Sequence, residues 1–432
     1  MTNSWLTSVW RKMAWLRLSW MAMPLAFVSL PLYVMLPHRY ATAWGVPLAS
    51  LGALLLTVRA LDALLDPWLG ARCDGWFAHG MPKVLERTGM LCGLLALGFA
   101  GLWLPDVGLG LLGLAVTPAT VLPMAAVCLV LAYLGATCLN LTLQSWGTRL
   151  GGHTLQQSRI VAWREGLGLL GVVLASVLTP WLDAQALVVV LTLALALGGW
   201  LWRAAPFPVH PPHNGLGVSD SEISPMQRPV FRALLQVFVL NGIASAVPAT
   251  LVMFFIQDQL QAPSGYEARY LGAYFVAAAV SLPLWLWVVR RVGLLRAWGM
   301  GMALAMGVFM WTVGLEAGDL LGFGVICALS GLALGADLVV PGALLTGVIQ
   351  RAGDSGTREG RYLGWWQVAT KLNLAVAAGL SLPALQLLGY TPGAHNASGL
   401  WALTLAYGVL PCGLKFLAAW RLWTLRHVLQ EN

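Results

Sequence analysis

Charge is scarce in this chain. Only 10% of its 432 residues are Asp, Glu, Lys or Arg, while 59% are hydrophobic. A soluble globular domain carries about 25% charged residues, so that class is excluded. Strict alternation of apolar and polar residues is also missing. The apolar positions come in blocks, which excludes a membrane β-barrel. There is no HExxH, no GxxxxGK[ST] and no GxSxG, so no zinc protease, P-loop ATP hydrolase or serine esterase is indicated. The six cysteines form no CxxC and lie mostly in apolar stretches. They read as small core residues rather than as a disulfide or zinc framework. The seven histidines, at 38, 79, 153, 210, 213, 395 and 427, read as loop or tail residues. That leaves no intramembrane histidine relay and argues against haem ligation.

What is present is a series of long apolar runs, each matching the length of a bilayer-crossing helix. Twelve are read, at about 18–37, 47–70, 88–105, 121–146, 160–181, 185–202, 231–257, 269–289, 293–314, 320–348, 361–389 and 400–420. The first is long enough to span, and no cleavable signal peptide is read. The basic residues test the count. With the N-terminus placed inside, 20 of the 25 Lys and Arg fall in inside segments. Only Arg39 and Arg269 fall outside, and Arg59, Lys371 and Lys415 lie within spans. This positive-inside split places both termini in the cytoplasm of an inner or plasma membrane protein. It also accounts for the net charge of +8 without nucleic acid.

The longest polar connector, Arg203 to Arg228, contains Pro206, Pro208, Pro211, Pro212, Gly215 and Gly217, the composition of a flexible linker. It divides the chain into a six-helix half (1–202), a linker (203–230) and a second six-helix half (231–432). An all-α membrane protein with twelve transmembrane helices in two six-helix halves is the layout of the major facilitator fold.

Three charges lie deep in apolar runs: Asp62, Asp66 and Lys371. A charge at mid-membrane costs about 2.5–3.5 kcal/mol on insertion scales, so it is usually kept for a purpose. Asp62 and Asp66 are four residues apart and share one helix face. Two poorly solvated carboxylates on one face are relieved by a cation or a proton. Pro67 loosens the local helix hydrogen bonds. The competing reading is a structural ion pair of Asp62 with Arg59 or Lys371. Lys415, nearer the end of its span, is expected to snorkel.

The run Arg59-Ala-Leu-Asp62-Ala-Leu-Leu-Asp66-Pro67 resembles the signature of the sodium/melibiose symporter family, the glycoside–pentoside–hexuronide:cation symporters. Gly70-Ala-Arg-Cys-Asp74 is similar to the GxxxD element between helices 2 and 3 of the wider superfamily. Arg159 to Gly166, Gly335 to Pro341, and Gly356 to Gly360 leading into Lys371 resemble later elements, so the likeness covers most of the chain. The resemblance implies cation-coupled symport of a sugar or related small solute by alternating access, not enzymatic catalysis. It implies cation binding, Na+ or H+, at Asp62 and Asp66. Lys371 and Arg59 would then act in coupling. Arg164 would lie near the sugar and the inner gate, although with Glu165 it equally reads as a helix end. Arg72, Asp74, Glu165 and Arg358, with Arg164, are the expected cytoplasmic gate. Asp337 is expected to pair with Lys371 or to bond to a broken helix.

The departures concern the substrate. Span 1 has no acid, and the Thr137-Cys-Leu-Asn140-Leu-Thr142 stretch of span 4 has none either, whereas the family's sugar carriers use an acid on each. Asn140 or Thr142 takes that place, and Trp366 and Gln367 are the further substrate candidates; Trp146 and Trp365 are weighed beside them. A carrier of lipid-like or amphipathic solutes on the same fold is the alternative. No cofactor is expected beyond the coupling ion. The expected partners are a small-molecule substrate, the cation and the lipid bilayer, with a monomer as the default.

Overall fold

The computed structural model describes residues 14–208, 224–263, 265–391, 393 and 396–427. Among these there is no strand. Helix α1 runs Ala22–Leu30, widens into a π segment at Pro31–Met35 and continues as Leu36–Trp44. Pro31 has no N–H to give to the preceding turn, which favours the wider π spacing there. The helix reaches beyond the expected end at 37, so the backbone of His38 is helical rather than loop. Eleven further long helices follow, besides a short one at Pro105–Leu111. They are α2 (Leu48–Ala78), α3 (Met81–Trp103), α4 (Pro118–Arg149), α5 (Thr154–Leu178), α6 (Ala184–Trp202) and α7 (Pro229–Phe254, with a π segment Phe255–Gln259). Next come α8 (Tyr266–Val292), α9 (Leu294–Met310), α10 (Leu320–Arg351) and α11 (Glu359–Leu387). The last is α12, made of Ala397–Thr404, a π segment Leu405–Val409 and Leu410–Thr424.

Among the described residues, ten of these are long and apolar enough to cross a membrane. The other two are α1 and α2; α2 carries Arg59, Asp62, Asp66, Arg72 and Asp74. Local chemistry sets several starts. Thr117 and Thr120 form a reciprocal capping box before α4, and Asp183 caps α6 by accepting from the Ala186 N–H at 2.7 Å.

The chain forms two compact units. The first holds the described residues up to 152, then 163–214 and 353–365. The second holds 153–162, 215–352 and 366 onward. The first turns of α5 and of α11 therefore sit with the opposite unit from the one that chain order assigns. The start of the expected linker is not loose. The Trp146 indole donates to the Pro206 carbonyl at 2.9 Å and its ring stacks on Phe207, so residues up to 208 are partly fixed by packing.

In the first unit α3 packs along α4 and α6, and α2 along α4. In the second, α8 and α9 pack along α10, and α7 and α9 along α12. The second unit's core is aromatic. Phe255 stacks on Tyr407 at 4.3 Å between ring centres and leans on Phe323. Beside it, the buried Asp258 accepts from the Tyr390 hydroxyl and the Gly393 N–H. Burial first, and then that bond, pushes the Tyr390 phenol well above its ordinary pKa.

Candidate functional site

In the first unit, α2 carries the acidic doublet. Asp66 is fully buried and Asp62 is 7% exposed, one helical turn apart on the same face. The Thr137 hydroxyl, from α4, donates to Asp62 Oδ1 at 2.8 Å. Carboxylate and hydroxyl oxygens are hard donors, suited to a proton or an alkali ion rather than to a soft transition metal. Among the described residues no cluster of three or more His, Cys, Asp and Glu is present. Arg59, one turn before Asp62, is exposed.

Around Asp66 the backbones of α2 and α11 nearly touch. A Cβ on Gly364 would lie 2.6 Å from the Asp66 carbonyl oxygen, and one on Gly70 would lie 2.0 Å from the Gly360 carbonyl. Only glycine permits that approach, the small-residue packing typical of membrane helices.

One turn beyond Gly70 lies the expected cytoplasmic gate, and its membership differs. Asp74 pairs with Arg149, the last residue of α4, at 2.8 Å. The same guanidinium nitrogen is 3.0 Å from Glu359 at the start of α11. Asp74 also accepts the Gly360 N–H at 2.7 Å and the Arg361 N–H at 3.0 Å. Arg149 bonds Ser145 and lies 4.2 Å over the Phe77 ring. Arg72 does not join. Two residues from Asp74 it is about 200° round the helix, and it is exposed, over the Trp68 ring. Arg164 and Glu165 pair with each other at 2.6 Å, and Arg358 lies 3.6 Å from Asp354. Asp74 was expected from the sequence; its partners Arg149 and Glu359 were not.

The substrate candidates of α4 are held by the helix itself. The Thr142 hydroxyl, 1% exposed, donates to the Cys138 carbonyl at 2.7 Å and lies 3.7 Å from the Cys73 sulfur. Asn140 is half-buried and accepts from Gln144 at 3.1 Å. Trp146 is a fully buried packing residue, edge-on to Trp202 and Phe77.

In the second unit, Lys371, Trp366 and Gln367 all lie on α11. Lys371 and Gln367 are half-buried. Trp366 is buried, stacked on Phe238 of α7 at 3.8 Å between centres. Two expectations are overturned here. Lys415 does not snorkel: it is 4% exposed and donates to Asn241 at 2.8 Å, Ser245 at 3.0 Å and Asp337 at 3.0 Å. Asp337 pairs with that lysine rather than with Lys371, and it also accepts from Asn241 and from the Trp298 indole, each at 2.9 Å. The physical reason is the face: Lys415 points into α7 and α10, where three polar groups, Asn241, Ser245 and Asp337, meet its ammonium better than an interface would.

Residues 215–426 match a family model described as MFS/sugar transport protein. No curated protein matches the sequence. Several solved structures share the fold at low identity. A bacterial homologue of the iron transporter ferroportin is 17% identical, with a TM-score of 0.67 over 94% of this chain and 98% of its own. The Escherichia coli fucose:proton symporter FucP is 14% identical, TM-score 0.64, over 95% and 97%. The human organic anion transporter MFSD10 is 18% identical, TM-score 0.59, over 95% and 97%. The chain is a multi-pass membrane protein with the major facilitator fold.

Proposed function

We propose that this chain of the major facilitator fold is a secondary active transporter, not an enzyme, in which a cation drives uptake of a sugar or related small solute. The observation that carries the reading is the buried doublet of Asp62 and Asp66 with the Thr137 hydroxyl beside it. Two adjacent carboxylates away from bulk water favour a bound positive charge, and either H+ or Na+ supplies it. Lys371 and Arg59 are the coupling residues of this reading, with Arg164, Asn140, Trp366 and Gln367 toward the solute. Binding the ion would bias the protein between states that open to opposite sides of the membrane. In the same reading the Asp74–Arg149–Glu359 cluster is the cytoplasmic fastening that gives way once per cycle. The arginine distribution favours an inner or plasma membrane with both termini in the cytoplasm.

The test is Asp66→Asn in proteoliposomes that carry an imposed ion gradient. Gradient-driven accumulation is expected to vanish while the protein remains inserted and solute exchange without a gradient persists. Undiminished accumulation would overturn the reading.

A second reading, a carrier of lipid-like or amphipathic solutes, draws on the engaged polar groups of α4. Thr142 is turned to its own helix and to Cys73, which weakens the case for a hydroxyl-reading clamp. Counterflow with monosaccharides against lysolipids separates the two.

A further inference from the structure

The connection between α3 and α4, at the end of α4 opposite Arg149, is apolar where a loop is ordinarily polar. It starts with the short helix Pro105–Leu111, and residues 111–119 are exposed without a break. No charged residue occurs from 107 to 119. Leu111 is 85% exposed and Leu112 69%, and Val107, Leu114 and Val116 stand out beside them. The α9–α10 connection of the second unit is the contrast. It too joins two helices long and apolar enough to cross a membrane, yet it exposes Glu316 and Asp319. A contiguous apolar surface of this kind marks a contact with something other than water.

The main chain of this connection closes on itself. Gly113, at φ +67°, ends the short helix: its N–H bonds the Gly110 carbonyl at 3.1 Å, and the Leu114 N–H bonds the Leu109 carbonyl at 3.0 Å. The Thr120 hydroxyl donates to the Ala115 carbonyl at 2.6 Å and accepts the Thr117 N–H at 3.0 Å. A loop in water can leave such groups to the solvent, whereas in a bilayer they must be met from within. The other face is anchored. Pro105 and Leu109 are buried, and a Cβ on Gly108 would lie 2.2 Å from Met124 Cε of α4. Asp106 accepts from the Trp44 indole at 3.1 Å, and the Arg39 guanidinium lies 5.4 Å from the Trp44 ring centre and 5.2 Å from that of Trp103. Tryptophan with a nearby charge is the residue pattern of a membrane–water interface.

We propose that residues 107–116 dock on the lipid bilayer as an interfacial segment. Val107, Leu111, Leu112, Leu114 and Val116 lie among the upper acyl chains, with Asp106, Arg39 and Trp44 at headgroup level. Lipid is the occupant because the patch prolongs the apolar surface of the two helices it joins: Leu97 of α3 is 64% exposed and Val127 of α4 61%. Docked in this way, the segment holds the start of α4, the helix that carries Thr137, at a fixed depth.

The experiment uses the full-length chain in phosphatidylcholine vesicles. Leu111→Cys, Leu114→Cys and, as the water control, Glu316→Cys each carry a nitroxide, with wild type treated identically as the blank for the native cysteines, five of them buried and Cys92 half-buried. Relaxation of the label by oxygen is expected to exceed that by a water-soluble nickel chelate at least threefold at 111 and 114, with the reverse order at 316. A second measurement needs no substitution. Phosphatidylcholine bearing a diazirine on its acyl chain is photolysed with the wild-type chain, and the adducts are mapped by mass spectrometry. Labelling over 107–116 is expected to be at least fivefold that over 315–319, and this result decides if the cysteine variants fail to insert. Nickel relaxing 111 and 114 more than oxygen, or labelling no higher than over 315–319, would overturn the proposal. So would a second copy of the chain seated on the patch, seen as labels shielded from both reagents and broadened by each other until unlabelled chain dilutes them.

Discussion

Each unit buries an ion cluster, and the two are built on different plans. In the first unit one guanidinium, Arg149, serves two carboxylates, Asp74 and Glu359. All three sit at helix ends, and Asp74 is completed by backbone N–H groups of the first turn of α11. In the second unit one acid meets one base, Asp337 and Lys415. They sit well inside α10 and α12, and Asn241, Ser245 and Trp298 complete their hydrogen bonds. Moving one short helical segment, the start of α11, strips Glu359 and both backbone N–H groups from the first cluster. The second is undone only by parting four helices. A balanced, enclosed pair suits holding a unit together, whereas an unbalanced pair at helix termini suits letting go.

Four substitutions test this contrast, from the largest expected effect to the smallest. Lys415→Met leaves the partly buried Asp337 carboxylate without its cation and is expected to cost about 3–5 kcal/mol. Denaturation of the detergent-solubilised protein measures it, and adding Asp337→Leu should recover much of the loss. A single variant as stable as wild type would break the comparison outright. Gly70→Ala drives a methyl into the Gly360 carbonyl, a backbone atom that cannot turn aside. We expect a loss of about 1–3 kcal/mol by the same measurement. Asp74→Asn keeps one acceptor oxygen for the two α11 N–H groups and removes one of two charges competing for Arg149. Its stability should change by only about 0.5–1.5 kcal/mol, while solute uptake in proteoliposomes falls more than tenfold. A stability loss as large as that of Lys415→Met would erase the distinction between the two plans. Thr137→Val deletes the hydroxyl donated to Asp62. A net hydrogen bond of about 0.5–1.5 kcal/mol corresponds to a roughly 2–10-fold change in the cation concentration giving half-maximal uptake. An unchanged cation dependence would remove Thr137 from the site.

The helices were legible because their signal is local. Apolar length and the placement of arginine give twelve spans without knowledge of any contact. The doublet was legible for the same reason, since residues four apart share a face whatever surrounds them. The partners of Asp74 and Asp337 were not legible. Arg149 lies 75 residues along the chain from Asp74, and Glu359 precedes Gly360, which lies 286 away; nothing in the neighbourhood of either marks which partner it will meet. Lys415 misleads because position along the chain gives depth in a span and says nothing of the face. Which way a lysine points round its helix is decided by the packing of α7, α10 and α12. The linker misled in a similar way: proline content speaks of backbone stiffness, not of the tryptophan waiting to receive Pro206 and Phe207.

The glycine seam between α2 and α11 has a mechanical meaning. At Gly70, Gly360 and Gly364 main chain rests on main chain, with no flexible side chain in between to absorb a displacement. One of the peptide groups in that seam belongs to Asp66 itself. A small shift of the α2 main chain when its acids gain or lose a positive charge would therefore pass to the neighbouring rod undamped, as between two meshed teeth without backlash.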